Sequence, residues 1–157
     1  MKIAIGSDKS GFNLKEAIKA YLDTTDIQYD DLGTKDIESP VPYFKVASAV
    51  APKIQDGTYE KAILICGTGA GVSIVANKFK GVYAVACESL YAAKMCRAIN
   101  DASIMCMGGW IVAPEMGVEM TKAFLGTEFL QDLEDWRQTF LTGAKCEVKG
   151  IEDKLYD

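Results

Sequence analysis

A short branched-aliphatic run that ends on a cysteine and breaks into closely spaced glycines, Ala62 to Cys66 followed by Gly67-Thr68-Gly69-Ala70-Gly71, leaves few folds open to this chain. Ala62 to Ile65 has the length and branching of a strand buried on both faces, as in a parallel sheet. Cys66 then stands at the strand's C-terminal end, the edge at which open α/β sheets bind ligands. Gly67, Gly69 and Gly71 let the backbone turn tightly and approach a ligand closely. With a helix starting near Ala70, the backbone N–H groups from Gly67 to Gly71 make an anion cradle. A thiol beside such a cradle can act as general base or nucleophile, because the positive helix end favours the thiolate and donors already stand ready for an oxyanion. The plainer reading makes Cys66 a small buried hydrophobe and the glycines only a turn.

The rest of the chain alternates around that strand. Lys2 to Ser7, Ile27 to Leu32, Val82 to Cys87 and Ser103 to Met107 read as four further strands. Between them fall helical patterns: Leu14, Ala17, Ile18, Tyr21 and Leu22 on one face, Phe44, Ala47, Val50 and Ala51 on another, and Ser89 to Ala98. Asn13 with Glu16 reads as a capping box for the first helix, and Pro52 as a kink or early end of the second. Pro114 opens a helix to about Leu125. The alternation predicts an α/β fold, a Rossmann-like three-layer α/β/α sandwich around a five-stranded parallel sheet. Residues 1–157 form a single domain, with 130–157 as a C-terminal helical arm. Leu130, Leu133, Trp136, Phe140 and Leu141 make Leu130 to Leu141 so apolar a helix that it needs a second surface, and a homodimer with the arm on its partner supplies one.

Charge and cysteine usage narrow the function. A formal net charge of −5 without a basic run excludes nucleic acid as the main partner. The start of the chain reaches Asp8 and Lys9 too early for a signal peptide, and no uncharged apolar run is long enough for a membrane span, so a cytoplasmic protein is expected. Five cysteines without CxxC spacing point to neither a disulfide framework nor a zinc site. The chain has no histidine, which removes His-based triads and the commonest metal ligand. Asp8 and Lys9 at the end of the first strand, Gly33-Thr34 at the end of the second, and Asn100 before the fifth are expected on the same edge as Cys66. Lys9 there would ground a phosphate as a point charge.

Several stretches together resemble a known family. Met1 to Asp8 with Gly11-Phe12 and Leu14-Lys15, the Asp56-Gly57 turn, Ile65 to Gly69 through Ala76-Asn77-Lys78, and Asn100-Asp101-Ala102 with Met107-Gly108-Gly109 are similar to type B ribose-5-phosphate isomerases. The wider family takes in galactose-6-phosphate isomerase subunits and tetrulose-4-phosphate isomerases. The resemblance covers about residues 1–129. It implies metal-free, cofactor-free aldose–ketose isomerisation of a phosphorylated sugar through a cis-enediolate, in a homodimer or dimer of dimers with shared sites. Cys66 would move the proton between C1 and C2. Thr68 and the N–H groups of Gly67, Gly69, Ala70 and Gly71 would hold the enediolate oxygen, and Asp8 would move protons between the sugar oxygens. Asn100, and Arg137 on the arm, would reach in from the partner.

The departures from that family bear on the substrate. Lys9, Ile99 and Val41 stand where the family has a histidine, the ring-opening histidine and a tyrosine, and Leu133, Glu134 and Tyr83 replace parts of its phosphate grip. Ile99 cannot assist ring opening, which favours a four-carbon substrate that presents its carbonyl directly. Two other readings stay open: a non-catalytic subunit of a hetero-oligomeric isomerase, and a dinucleotide-binding module that would use Glu88 at the next strand's end. Val72, in place of that fingerprint's last glycine, weighs against the second.

Overall fold

The structure is a computed structural model that describes residues 1–156. Five strands, β1 (Lys2–Ser7), β2 (Gln28–Asp31), β3 (Lys61–Cys66), β4 (Ala84–Ala86) and β5 (Ile104–Gly108), form one sheet in the order β2-β1-β3-β5-β4. Every neighbouring pair is parallel. The helices among the described residues are α1 (Phe12–Leu22), α2 (Tyr43–Gln55), α3 (Ala70–Ala76), α4 (Leu90–Ala98), α5 (Pro114–Leu125) and α6 (Asp135–Leu155).

The period of two along a strand sorts side chains into the layers above and below the sheet. Ile3, Ile5, Ile63, Ile65, Met105 and Met107 pack with α1, α4 and α5 on one face. Ala4, Ala62, Leu64, Cys66, Ile104 and Cys106 pack with α2 and α3 on the other. All six residues of β3 are buried, as its central place requires. From β1 the chain runs to β2 on one side and then crosses to β3 on the other, so the topological switch lies between β1 and β3. The crevice beyond the C-terminal ends of those two strands is where such sheets bind ligands, and it is bordered by Ser7-Asp8 and Cys66.

Local details differ from the sequence expectation. Helix α1 starts two residues earlier than a cap at Asn13 allows, with Gly11 as its N-cap and no side-chain cap. The Asp8 carboxylate takes the Gly11 N–H at 3.1 Å, and Glu16 turns to Lys19 at 2.9 Å. Pro52 does not stop α2, which runs on to Gln55; so near the end, the missing N–H deprives the helix of only one bond. The apolar stretch from Leu130 is not yet helix. Leu130 and Asp132 adopt φ of 68° and 59°, left-handed backbone that no α-helix contains, so α6 begins only at Asp135. It then continues to Leu155, well beyond Leu141. No helix among the described residues is long and apolar enough to cross a membrane.

Helix α6 lies back over its own chain through polar contacts. Glu152 accepts from the Gly81 N–H at 2.6 Å and the Tyr83 hydroxyl at 3.1 Å, and Lys145 pairs with Asp101. Its apolar side chains Trp136, Phe140, Val148, Ile151 and Leu155 stay exposed, while Leu141 is buried.

Candidate active site

Three strand-end turns converge on the crevice: 8–11 after β1, 66–71 after β3 and 108–112 after β5. The Asp8 N–H donates to the Ile65 carbonyl (3.2 Å), the Gly109 N–H to the Cys66 carbonyl (2.7 Å) and the Trp110 N–H to the Gly67 carbonyl (3.0 Å). These bonds hold Asp8 and Cys66 beside one another at the ends of adjacent strands. By the alternation along β1 and β3, both belong on the face of the sheet that carries α2 and α3.

Cys66 is 5 % exposed, and its Sγ accepts the Gly69 N–H at 3.1 Å. Gly69 makes this possible with φ of +81°. A side chain there would also meet the Met107 backbone at 3.0 Å, so strain and space both demand glycine. Thr68 is exposed, and its Oγ1 accepts from the Ala70 N–H at 3.3 Å. The N–H groups of Gly71 and Val72, in the first turn of α3, have no carbonyl partner within the helix. Sulfur, hydroxyl and backbone donors therefore meet within a few residues, as general-base chemistry with oxyanion stabilisation needs.

Asp8 is half-buried. Burial pushes its carboxyl above the usual carboxylate range, and hydrogen bonds from Gly11 and Ser10 offset this only in part. Lys9 follows it with an exposed side chain. Lys9 is the one cation in the three turns, and Asp8 the one anion.

The far wall of the crevice is tethered by a fully buried lysine. Lys15 on α1 donates to Asp31 Oδ2 at 2.5 Å and to the Thr34 carbonyl, and Asp31 also receives Lys19 at 3.0 Å and the Gly33 N–H at 3.0 Å. Thr34 Oγ1 in turn accepts the Val41 N–H at 2.9 Å. This network secures the loop from Gly33 to Val41, and that loop leads into Tyr43 at the start of α2. Lys15 appears in the sequence only as part of a motif, with no sign that it is buried.

Asn100 is not at the Cys66 edge of its own chain, contrary to expectation. It follows α4 and precedes β5, and in a parallel sheet a helix hands the chain back at the strands' N-terminal edge. Ser103 there bonds Tyr83, and Ala62 bonds Ser103, which puts this segment at the starts of β3, β4 and β5. Asn100 and Ile99 line a cavity of about 430 Å³ between α6 and β4, together with Tyr83, Leu141 and Lys145. Arg137 sits in the first turns of the same α6, half-buried. One protomer thus gathers Asp8, Lys9, Cys66, Thr68 and the glycine cradle, and carries Asn100 and Arg137 elsewhere.

Comparison with known proteins gives this arrangement its context. A family model described as Ribose/Galactose Isomerase matches residues 3–139. The chain belongs to the ribose/galactose isomerase family. A 4-deoxy-4-sulfo-D-erythrose isomerase from Clostridium sp. (strain MSTE9) is 59% identical over 99% of this chain and 98% of its own length. D-erythrulose-4-phosphate isomerase 2 of Mycolicibacterium smegmatis is 40% identical over 82% of this chain and 86% of its own length. A solved structure of Clostridium thermocellum ribose-5-phosphate isomerase B superposes with a TM-score of 0.88 at 34% identity, covering 99% of each chain. This family member is accordingly an aldose–ketose isomerase of the sugar-phosphate isomerase kind, with the α/β fold that its sequence predicts.

Two aromatic residues at the cradle escaped the sequence reading. A Cβ on Gly67 would lie 2.6 Å from the Trp110 ring, and one on Gly71 would lie 2.8 Å from the Tyr43 ring. Trp110 follows Gly108-Gly109 at a strand end, and a large exposed aromatic directly after such a turn is the signal that could have found it.

Proposed function

We propose that this isomerase interconverts a four-carbon aldose and its ketose carrying a terminal sulfonate, 4-deoxy-4-sulfo-D-erythrose and the corresponding erythrulose. The observation that carries the reading is the 59% identity to a 4-deoxy-4-sulfo-D-erythrose isomerase over essentially the whole chain, arm included. Ring chemistry agrees. A sugar whose C4 bears sulfur has no C4 hydroxyl with which to close a furanose ring, and a 4-phosphate has that oxygen blocked. Neither needs a ring-opening residue, and Ile99 offers none.

In the mechanism, Cys66 Sγ takes the proton from the carbon next to the carbonyl and returns it to the neighbouring carbon. Thr68 and the N–H groups of Gly67 to Gly71 hold the enediolate oxygen, and Asp8 shifts a proton between the two oxygens. Gly69, Ala70 and Gly71 shape the cradle. Lys9 grips the terminal anion together with the partner's Arg137, and the partner's Asn100 closes the site. Neither Asn100 nor Arg137 reaches Cys66 within one chain, and α6 presents an uncovered apolar stripe, both of which favour a homodimer whose arms complete each other's sites. No cofactor enters this scheme, and free thiols throughout fit a reducing cytoplasm.

The test is kcat/KM on the sulfo-erythrose, erythrose 4-phosphate and ribose 5-phosphate pairs, since that ratio measures discrimination. The sulfonate pair is expected to lead, and a preference for ribose 5-phosphate would sink both the sulfonate and the four-carbon arguments. Shared sites are checked by mixing Cys66→Ser with Asn100→Ala protein. Exchange of subunits is expected to restore activity to part of the mixture, whereas a mixture as inactive as its components would place each site within one chain.

Asp8 predicts the acid limb of the rate profile. Because burial holds its folded-state value above the carboxylate range, Asp8 takes up its proton at a higher pH on acidification than an ordinary carboxyl does. The acid limb of kcat/KM, which reports free enzyme, is expected to lie correspondingly high and to vanish from the residual activity of Asp8→Asn. An unmoved limb in that variant would assign it to another group.

A further inference from the structure

We infer that Trp110 is a specificity-determining residue of this isomerase, an apolar wall that shortens the crevice so that it accepts four-carbon and not five-carbon sugars. The inference rests on the four-carbon reading above and assigns the selection to one side chain. Trp110 is 74 % exposed, yet it is anchored: its N–H donates to the Gly67 carbonyl at 3.0 Å. Its ring stands against Gly67 so closely that a Cβ there would lie 2.6–2.8 Å from three of its ring carbons. The residue before it, Gly109, is pressed just as tightly against the 8–11 turn, where a Cβ would meet the Ser10 carbonyl oxygen at 2.3 Å. Trp110 thus stands on the turn that carries Cys66, and the residue before it packs on the turn that carries Lys9.

That place decides what it can do. The reacting carbons sit at the sulfur and the cradle, and the terminal anion is drawn to Lys9, so the rest of the carbon chain spans the interval between those turns. An indole beside that interval sets its length. It offers carbon atoms a surface to pack on and, at the ring nitrogen, one neutral donor. An additional CH–OH unit has to be accommodated against the ring, where its hydroxyl loses water without gaining a fixed partner.

The experiment compares kcat/KM on the four-carbon and ribose 5-phosphate pairs for the wild type, Trp110→Ala and Trp110→Phe. Trp110→Ala is expected to shift the four-carbon to five-carbon ratio by about 10-fold or more towards ribose 5-phosphate, the scale on which a pocket separates chains differing by one carbon. The Trp110→Phe variant is expected to keep most of the original ratio. Equal change on both pairs, or no change, overturns the inference. So does a shift in sedimentation with a uniform loss of activity, because Trp110 would then belong to a subunit interface. The wild-type ratio by itself judges the four-carbon reading, and a wild type that already prefers ribose 5-phosphate removes the wall together with that reading. If the wild type prefers four carbons and Trp110→Ala leaves that preference intact, only the role of Trp110 fails.

Discussion

Cys66→Ser is expected to lower kcat by about 10²–10⁴-fold, the range that a positioned acid–base group supplies, while substrate still binds. The substitution removes very little except the chemistry. Serine is smaller than cysteine, Cys66 is buried at the end of the fully buried β3, and the Gly69 N–H that now reaches Sγ at 3.1 Å can donate to a hydroxyl instead. The variant therefore keeps the cradle and loses the thiol that acts as the base. Initial rates on the preferred substrate pair, with binding followed by thermal shift, separate the two effects. Wild-type turnover in Cys66→Ser would remove the residue from the mechanism. Cys146 on α6 is exposed and Cys87 is buried beyond β4, so Cys146→Ser and Cys87→Ser are expected to leave the rate nearly unchanged.

The largest effect on stability is expected at Lys15. Its side chain is 0 % exposed, and that of its partner Asp31 only 9 %. Removing one member of a buried pair strands the other's charge, which costs about 3–5 kcal/mol. Lys19 at 3.0 Å remains for Asp31, so Lys15→Met belongs at the lower end of that range. The double variant Lys15→Met/Asp31→Leu is expected to recover much of the loss, because no lone charge is left. Urea unfolding of the three proteins is the measurement, and a loss below about 1 kcal/mol in Lys15→Met would contradict the buried-pair account.

The same pair gives stability a pH dependence of known sign. Burial pushes the Asp31 carboxyl up, but hydrogen bonds from Lys15, Gly33 and Lys19 outweigh it and hold the carboxyl below the usual carboxylate range. A folded-state value depressed in this way contributes stability that is complete above the unfolded carboxyl's value. It is lost as pH falls through the folded one. Acid should therefore close much of the gap between wild type and Lys15→Met, because both then carry a neutral Asp31.

Why some of this was visible in the sequence and some was not follows from the range of the forces involved. The unbroken apolar run from Ala62 to Cys66 and the glycines that follow are local signals: a strand buried on both faces favours apolar residues on both, and a turn with φ of +81° at Gly69 favours glycine. The start of α4 is equally local, with the Ser89 hydroxyl accepting the Ala92 N–H at 3.1 Å. The start of α1 was misread because the amide at Gly11 is taken by Asp8, from the preceding turn. The late start of α6 was missed because left-handed backbone at Leu130 contradicts an apolar pattern that otherwise reads as helix. Asn100 stands next to β5 in sequence, but a helix in a parallel sheet returns the chain to the strands' N-terminal edge, so adjacency to a strand does not bring it to the Cys66 edge.

By itself the sequence determined the layered parallel fold and the neighbourhood of Cys66, Thr68 and Asp8, because burial period, glycine backbone and strand-end position are written within a few residues of one another. Only the tertiary structure decided that Lys15 is a buried tether, that Trp110 lies on Gly67, and that Asn100 and α6 stand apart from the thiol. Each of these depends on contacts between segments far apart in the chain, and no local preference of the backbone encodes which distant carbonyl, carboxylate or ring a side chain will meet.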